Sequence, residues 1–349
     1  MSNTVVHEHP GVYSAYDASS VIGGKKTGRV IAVAAVAAKG TANEVVTLTS
    51  YADGLTAFGE DAEGSVGMAA VLRALYENGA ALVKAAAVGK TSTGANDYES
   101  AFKALEESEG IDVTVCDSTD ANVQKKLKES VESASGRQRE RIGIAAGGAQ
   151  ETAAELVEHA AKLNSERMVL VAPGDVRTAA AAAAIIAAEE DPSVPVNGAV
   201  LKGFSTLGAR YDDTQIDLLV RGGVTPLEVS AGEVSIVRGI TTRTTTGGAA
   251  DKTWRELTSI RIVDDVIPSL RASLRARFAR SRNTEQTRAA IRSQVIVELE
   301  NKRAKEIIDS FGEVSVRASE DDATVCVVEF SFAVAHGLNR IYLTAHITM

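Results

Sequence analysis

The sequence predicts an α/β plus α+β chain: a body built on a parallel sheet, then an α+β unit, with an extended β arm at each end. Three observations carry that expectation. From about residue 28, strand-like and helix-like segments alternate regularly, the pattern that builds a parallel sheet covered on both faces. Beyond Gly232 the alternation gives way to short strands and two long helices. The last nine residues alternate apolar and polar, with Ile341, Leu343, Ala345, Ile347 and Met349 on one side and Tyr342, Thr344, His346 and Thr348 on the other. That is the period of a half-buried strand. Because chain ends fray unless tied down, such a strand is expected to join a sheet, in its own subunit or in another.

The elements follow in order. Residues 1–20 hold Pro10-Gly11 and the β-formers Val5, Val6, Val12 and Tyr13 without a helical period, so they read as an extended arm. The body then runs Arg29–Ala37 (strand), Ser65–Asn78 (helix, stopped by Gly79), Ala81–Val88 (strand), Tyr98–Ser108 (helix), Val113–Cys116 (strand) and Val123–Ala134 (helix). It continues with the strands Ile142–Ala146 and Met168–Ala172 and the helices Thr152–Leu163 and Thr178–Glu190. The last of these helices carries six consecutive alanines, Ala179–Ala184, a slim surface suited to close packing. After a loop with a short strand, Thr214–Val220 is a helix ended by Gly222-Gly223. In the second unit Val234–Thr242 and Ser259–Val263 read as strands, with Thr241–Gly248 as a polar turn between them. Helices over Asp264–Arg280 and Thr284–Lys305 follow, then strands at Val314–Arg317 and Thr324–Val334. The expected divisions are 1–20 (arm), 21–231 (body), 232–338 (α+β unit) and 339–349 (arm).

Composition bounds the function. With 45% hydrophobic and 24% charged residues over 349 positions, the chain reads as globular, of about two domains. The net charge of -9 argues against a general nucleic-acid binder. The charge is uneven: residues 251–349 carry 15 Lys/Arg against 14 Asp/Glu, and residues 1–250 carry 22 against 32. Cys116 and Cys326 have no metal-ligand spacing and read as buried free thiols. No signal peptide or apolar run of about 20 residues is present, so cytoplasmic synthesis and folding are expected.

Enzyme motifs fall short. Gly89-Lys90-Thr91 follows a strand, but a phosphate loop requires glycine where this chain has Lys84, and Gly24-Lys25-Lys26-Thr27 likewise has Ser19. Gly143, Gly147 and Gly148 do not have dinucleotide-fold spacing, and close turn packing explains them better. Ala172-Pro173-Gly174-Asp175 reads as a tight turn with an acidic cap. None of His7, His9, His159 (on a polar helix face), His336 and His346 is placed as a catalytic base. Asp117-Ser118 resembles the aspartate segment of subtilisins only faintly. No catalytic residue, metal ligand or cofactor is expected.

The sharper signal is basic. Eight arginines (261, 271, 275, 277, 280, 282, 288, 292) face three acids between Arg261 and Arg292. On a helical wheel Val263, Ile267, Leu270, Leu274 and Phe278 form the buried stripe, Arg271, Arg275 and Arg282 line one flank, and Arg277 and Arg280 lie on the other side. A solvated basic face, a nucleic-acid backbone or an acidic protein surface would each suit them. The lack of aromatics beside the cluster favours a protein.

Residues 174–349 closely resemble the contractile tail sheath proteins of bacteriophages and related injection devices. The stretches that carry the resemblance are EEDPSVPVNGAVLKGF, IDLLVRGGVTPLE, SIVRGITTRTTT, TWRELTSIRIVDDVIPSLRASLRARF, NTEQTRAAIRSQVIVELE and HGLNRIYLTAHITM, with HPGVY at the start. Over residues 28–170 only the βα pattern agrees. The resemblance implies a non-enzymatic subunit that polymerises with itself as stacked hexameric rings around an inner tail tube protein. It implies partners at the baseplate and tail terminator, no nucleic acid, no membrane contact, and a place in the tail of a virion or phage-tail-like particle assembled in the host cytoplasm. It makes the two arms donor strands for neighbouring subunits, and Arg271, Arg275 and Arg282 the inner-tube contact. A nucleotide-dependent α/β enzyme with a dimerising C-terminal domain, or a nucleic-acid binder acting through the arginines, would be the alternatives.

Overall fold

The computed structural model describes residues 29–91, 94–320 and 324–339. The body comprises β1 (Val30–Ala35), β2 (Val45–Leu48), α1 (Tyr51–Phe58), α2 (Met68–Glu77), β3 (Leu82–Ala87), α3 (Ala95–Glu106), β4 (Ile111–Cys116) and α4 (Ala121–Gly136). It continues with β5 (Ile142–Ala146), α5 (Ala153–Leu163), β6 (Met168–Ala172), α6 (Val176–Ala188), β7 (Val200–Leu201), α7 (Asp213–Arg221), β8 (Val224–Ser230) and β9 (Glu233–Ile236). The nine strands form one sheet in the order β2-β3-β1-β4-β5-β6-β8-β9-β7. Strands β3 through β8 in that order run parallel, and β2 and β9 close the parallel core with antiparallel pairing.

Alternation along β1 serves both faces of this sheet. Ile31, Val33 and Ala35 join the core beneath α2 and α6, while Val30, Ala32 and Ala34 join the core beneath α3, α4 and α5. Ala179–Ala184 are all 0% exposed between the sheet and α2, so the alanine run does let α6 lie close. Helix starts are fixed by short polar side chains: Asp120 caps α4, and capping boxes open α5 (Thr152/Glu155), α6 (Asp175/Thr178) and α7 (Asp212/Gln215).

Beyond the body come the short hairpin β10 (Thr245–Thr246) and β11 (Ala249–Ala250), the long helices α8 (Leu257–Phe278) and α9 (Glu285–Ala304), and β12 (Ile308–Phe311), β13 (Ser315–Ala318), β14 (Cys326–Glu329) and β15 (Phe332–Val334). β12 pairs with β15 and β13 with β14, both antiparallel. The pairs follow one another along a single kinked ribbon, because Gly312 N donates to Ser331 O between them and Ser319 N to Val325 O beyond them. Val328, Phe330, Phe332 and Val334, spaced by two, pack against a third core of Ile262, Val266, Leu270, Val295 and Leu299.

Several expectations are corrected. Ser259–Val263 is not a strand but the opening of α8: Leu257 and Ile260 enter the body core while Ile262 faces the third core, and burial on two sides overrides the β-branched run. The buried stripe of α8 is Ile262, Val266 and Leu270; Val263, Ile267, Leu274 and Phe278 are only half-buried. The strand expected over Val234–Thr242 stops at Ile236, and that over Thr324–Val334 breaks at Phe330-Ser331. The boundary expected near Gly232 falls inside the β8–β9 hairpin, whose strands share the body sheet. β2 and α1 had no counterpart in the sequence pattern.

Candidate assembly interface

Helix α8 joins the body to the terminal unit. Arg261 is 2% exposed and donates to the backbone oxygens of Val194 (3.0 Å), Glu189 (2.8 Å) and Asp191 (3.2 Å), the chain just leaving α6. Burial pushes its guanidinium down to about 10. One turn on, Asp264 takes both Nη atoms of Arg167 at 2.9 Å; burial raises its carboxyl against that pull. Two turns further, Arg271 binds Glu140 at 2.8 Å, and Lys302 of α9 pairs with Asp265. A cleft of about 430 Å³ left at this seam is lined by Arg29 and Arg261 against Asp112, Glu140, Glu190, Asp264 and Asp265, with Ile142, Ala187 and Pro268 as apolar walls.

The arginine cluster therefore divides. Arg261 is structural and Arg271 is engaged by the body. Arg277 donates to Gln294, Arg288 to Asn283 (3.0 Å) and Arg292 to Val314 O (2.8 Å) within the terminal unit. Arg275, Arg280 and Arg282 are exposed and make no ion pair among the described residues. Arg282 does not continue the Arg271–Arg275 flank, because α8 ends at Phe278 and Arg282 lies in the loop before α9.

The ribbon is the second assembly feature. It has two strands, so among the described residues both outer edges keep unpaired backbone groups, and ribbons of this size are marginal alone. Its second side, β14 and β15 together, runs from Cys326 to Val334 with a break at Phe330-Ser331, and the alternating segment Ile341–Met349 has the same length of nine residues. The arm residues Val5, Val6, Val12, Tyr13, Ile341, Leu343, Ala345, Ile347 and Met349 lie outside the described residues.

At the carboxyl edge of the body sheet, where α/β folds place ligands, the turns are closed by their own side chains. A Cβ at Gly147 would lie 2.4 Å from Leu156 Cδ2, so glycine there serves close packing. Gly148 N donates to Glu151 at 2.5 Å, and Asp175 takes Arg177 N at 2.8 Å as the cap of α6. The nearby cleft of about 320 Å³ includes Arg177, which Asp175 already binds at 2.8 Å. At the opposite, amino edge, Lys84 Nζ donates to Glu109 O at 2.7 Å just ahead of β4. His159 is buried, at 4% exposure, rather than on a polar face; it falls on the α5 stripe with Leu156, Ala160 and Leu163, and its Nδ1 meets Glu151 at 3.1 Å. Of the thiols, Cys116 is buried and Cys326 only half-buried.

Comparison with known proteins agrees over both units. The family profile of the phage tail sheath protein central domain matches residues 91–242, and that of the phage tail sheath C-terminal domain matches residues 249–348. A tail sheath protein of Bacillus phage SP01 is 28% identical over 228 residues, covering 60% of this chain and 38% of that protein. The chain thus spans about two fifths of that relative's length. The fold matches a chain of the anti-feeding prophage helical sheath in its contracted state, with a TM-score of 0.72 at 14% identity over 98% of this chain and 99% of that one. It also matches a sheath tail protein from Desulfitobacterium hafniense, with a TM-score of 0.69 at 10% identity over 93% and 100%. The chain belongs to the phage tail sheath protein family.

Proposed function

We propose that this protein is the structural subunit of a contractile tail sheath: it polymerises as stacked hexameric rings around an inner tube and contracts to drive the tube through a target envelope. The observation that carries this reading is the open-edged ribbon of the terminal unit, in a chain whose fold matches a contracted sheath. A nine-residue strand reaches about 30 Å, enough to cross to a neighbour. Val5, Val6, Val12 and Tyr13 of one copy and Ile341–Met349 of another would add strands to the ribbon by β-augmentation. Backbone pairing of this kind tolerates rotation of the domains behind it, so the mesh survives contraction.

The closed turns at the sheet's carboxyl edge fit a subunit that performs no catalysis and needs no cofactor, with work drawn from subunit packing in a metastable extended state. The inner-tube contact is a salt-screened surface of Arg275 and Arg282, joined by Arg271 when Glu140 releases it. The virion tail or a phage-tail-like particle is the place of action, after assembly in the host cytoplasm, with baseplate and terminator proteins at the ends. Negative-stain imaging of the purified protein tests the reading: tubes of uniform width support it, and monodisperse monomers at all concentrations contradict it. Arg275→Glu with Arg282→Glu should abolish co-assembly with tube while sparing tube-free polymers; undiminished co-assembly would remove the tube contact from the proposal.

A further inference from the structure

The kinked ribbon presents two unequal edges. In an antiparallel ladder, residues that exchange backbone bonds alternate with residues whose N–H and C=O point outward. Ser319 N donates to Val325 O, Gly312 N to Ser331 O and Ala335 N to Ile307 O. With the pairings of β13 with β14 and of β12 with β15, the outward residues of the second side are therefore Cys326, Val328, Phe330, Phe332 and Val334. They keep a spacing of two through the kink, because the extra residue at each register shift lies on the first side, at Asp309 and at Glu313-Val314. Among the described residues nothing beyond the ribbon pairs with the backbone of these positions. On the first side, by contrast, Arg292 Nε occupies Val314 O at 2.8 Å. Val328, Phe330, Phe332 and Val334 pack on the third core. The terminal segment carries Ile341, Leu343, Ala345, Ile347 and Met349 at the same spacing, so it matches the second edge in length and in face.

The chain approaches that segment along the body. After β15 it runs beside the loop that precedes β7: a Cβ on Gly337 would lie 2.9 Å from Pro195 Cγ, and Asn197 Nδ2 donates to Asn339 Oδ1 at 2.9 Å. The loop is itself anchored. Asn197 Oδ1 accepts from Gly239 N at 3.1 Å, Val194 O from Arg261 at 3.0 Å, and Gly198 N donates to Ile236 O at 2.7 Å. The same direction leads on to β7, the outer strand of the body sheet. That edge is closed at Lys202, whose N and O are both bonded by the Asn78 side chain, at 2.8 and 3.1 Å. We propose that Pro195–Asn197 is an exit clamp that commits the terminal segment to another copy. It holds residues 337–339 on the body, away from the turn that would fold Ile341–Met349 back onto β14 and β15 of its own ribbon. Residues 335–340 are long enough for such a turn. A strand tethered so closely competes at an effective concentration in roughly the millimolar range, far above that of a second copy in dilute solution. The clamp rests on the strand-lending reading and supplies the reason the strand is not taken back.

Hydrogen exchange of the full-length protein, resolved to single amides and run at a dilution where sedimentation shows monomers, tests it. In the wild type the outward amides of Val328, Phe330 and Phe332 should exchange almost freely. Gly337→Ala with Asn339→Ala pushes the chain off Pro195 and removes its bond to Asn197 without touching the body. That variant should protect the three amides by about tenfold or more, and deleting Ile341–Met349 from it should restore free exchange. Protected amides in the wild-type monomer, or no gain of protection in the double variant, overturn the clamp. Because the rates are read on monomers, this outcome is separate from whether the chain forms tubes.

Discussion

Glu140, on the loop before β5, and Arg271, in the second half of α8, form an ion pair at 2.8 Å across the seam between body and terminal unit. The pair withdraws Arg271 from the exposed basic flank. Burial alone would raise the Glu140 carboxyl, but the hydrogen bond and charge of Arg271, helped by Arg167, hold it below the usual carboxylate range. A group with a lowered folded value stabilises above the ordinary range, and that contribution is lost as pH falls through the lowered value. Glu140→Gln is therefore expected to cost about 1 kcal/mol at neutral pH, a difference that narrows below about pH 5 in urea titrations. A cost independent of pH would mean that shape, not charge, holds the seam.

Arg261 is the uncharged-partner counterpart of that contact. Its fork satisfies three backbone oxygens at once, a geometry that lysine lacks. Arg261→Met is expected to lose about 2–3 kcal/mol, since the part-buried contacts to the oxygens of Glu189, Asp191 and Val194 lose their shared donor. Guanidinium titration measures the loss, and limited proteolysis should cut first near the start of α8.

The alanine run of α6 makes a packing prediction. Ala181→Leu adds volume at a site with 0% exposure and is expected to destabilise by about 1–3 kcal/mol. Ala188→Leu, at the exposed end of the same helix, should stay within about 0.5 kcal/mol. Equal thermal shifts in the two variants would refute the close contact with the sheet.

Much of the body was legible in the sequence because its signals are local. β5 and β6 fall on the expected residues, since short apolar runs between helical stripes have little other reading, and Asp175 declared the α6 start as a cap. Tertiary context decided the failures. Ile260, Ile262 and Val263 look like a strand, yet they lie on different sides of one helix shared by two cores. His159 stands at helical spacing from Leu156 and Leu163, but its polar ring suggests the outer face; its contact with Glu151, which lies outside the helix, is what lets it sit on the buried stripe. Nor could the basic cluster reveal that Glu140, 131 residues away, claims Arg271. The ribbon kink at Gly312 and Ser331 has no signal in alternation alone, since the inward spacing of two at Val328–Val334 runs through it.

On the proposed reading, the subunit assembles by lending the segment Ile341–Met349 to the ribbon of another copy. The most direct test compares the full chain with a variant lacking Ile341–Met349, by sedimentation velocity with negative-stain imaging under conditions where the full chain forms tubes. The expected result is a folded variant with unchanged circular dichroism that sediments as small species and forms no tubes. Long tubes assembled from the truncated chain would contradict it.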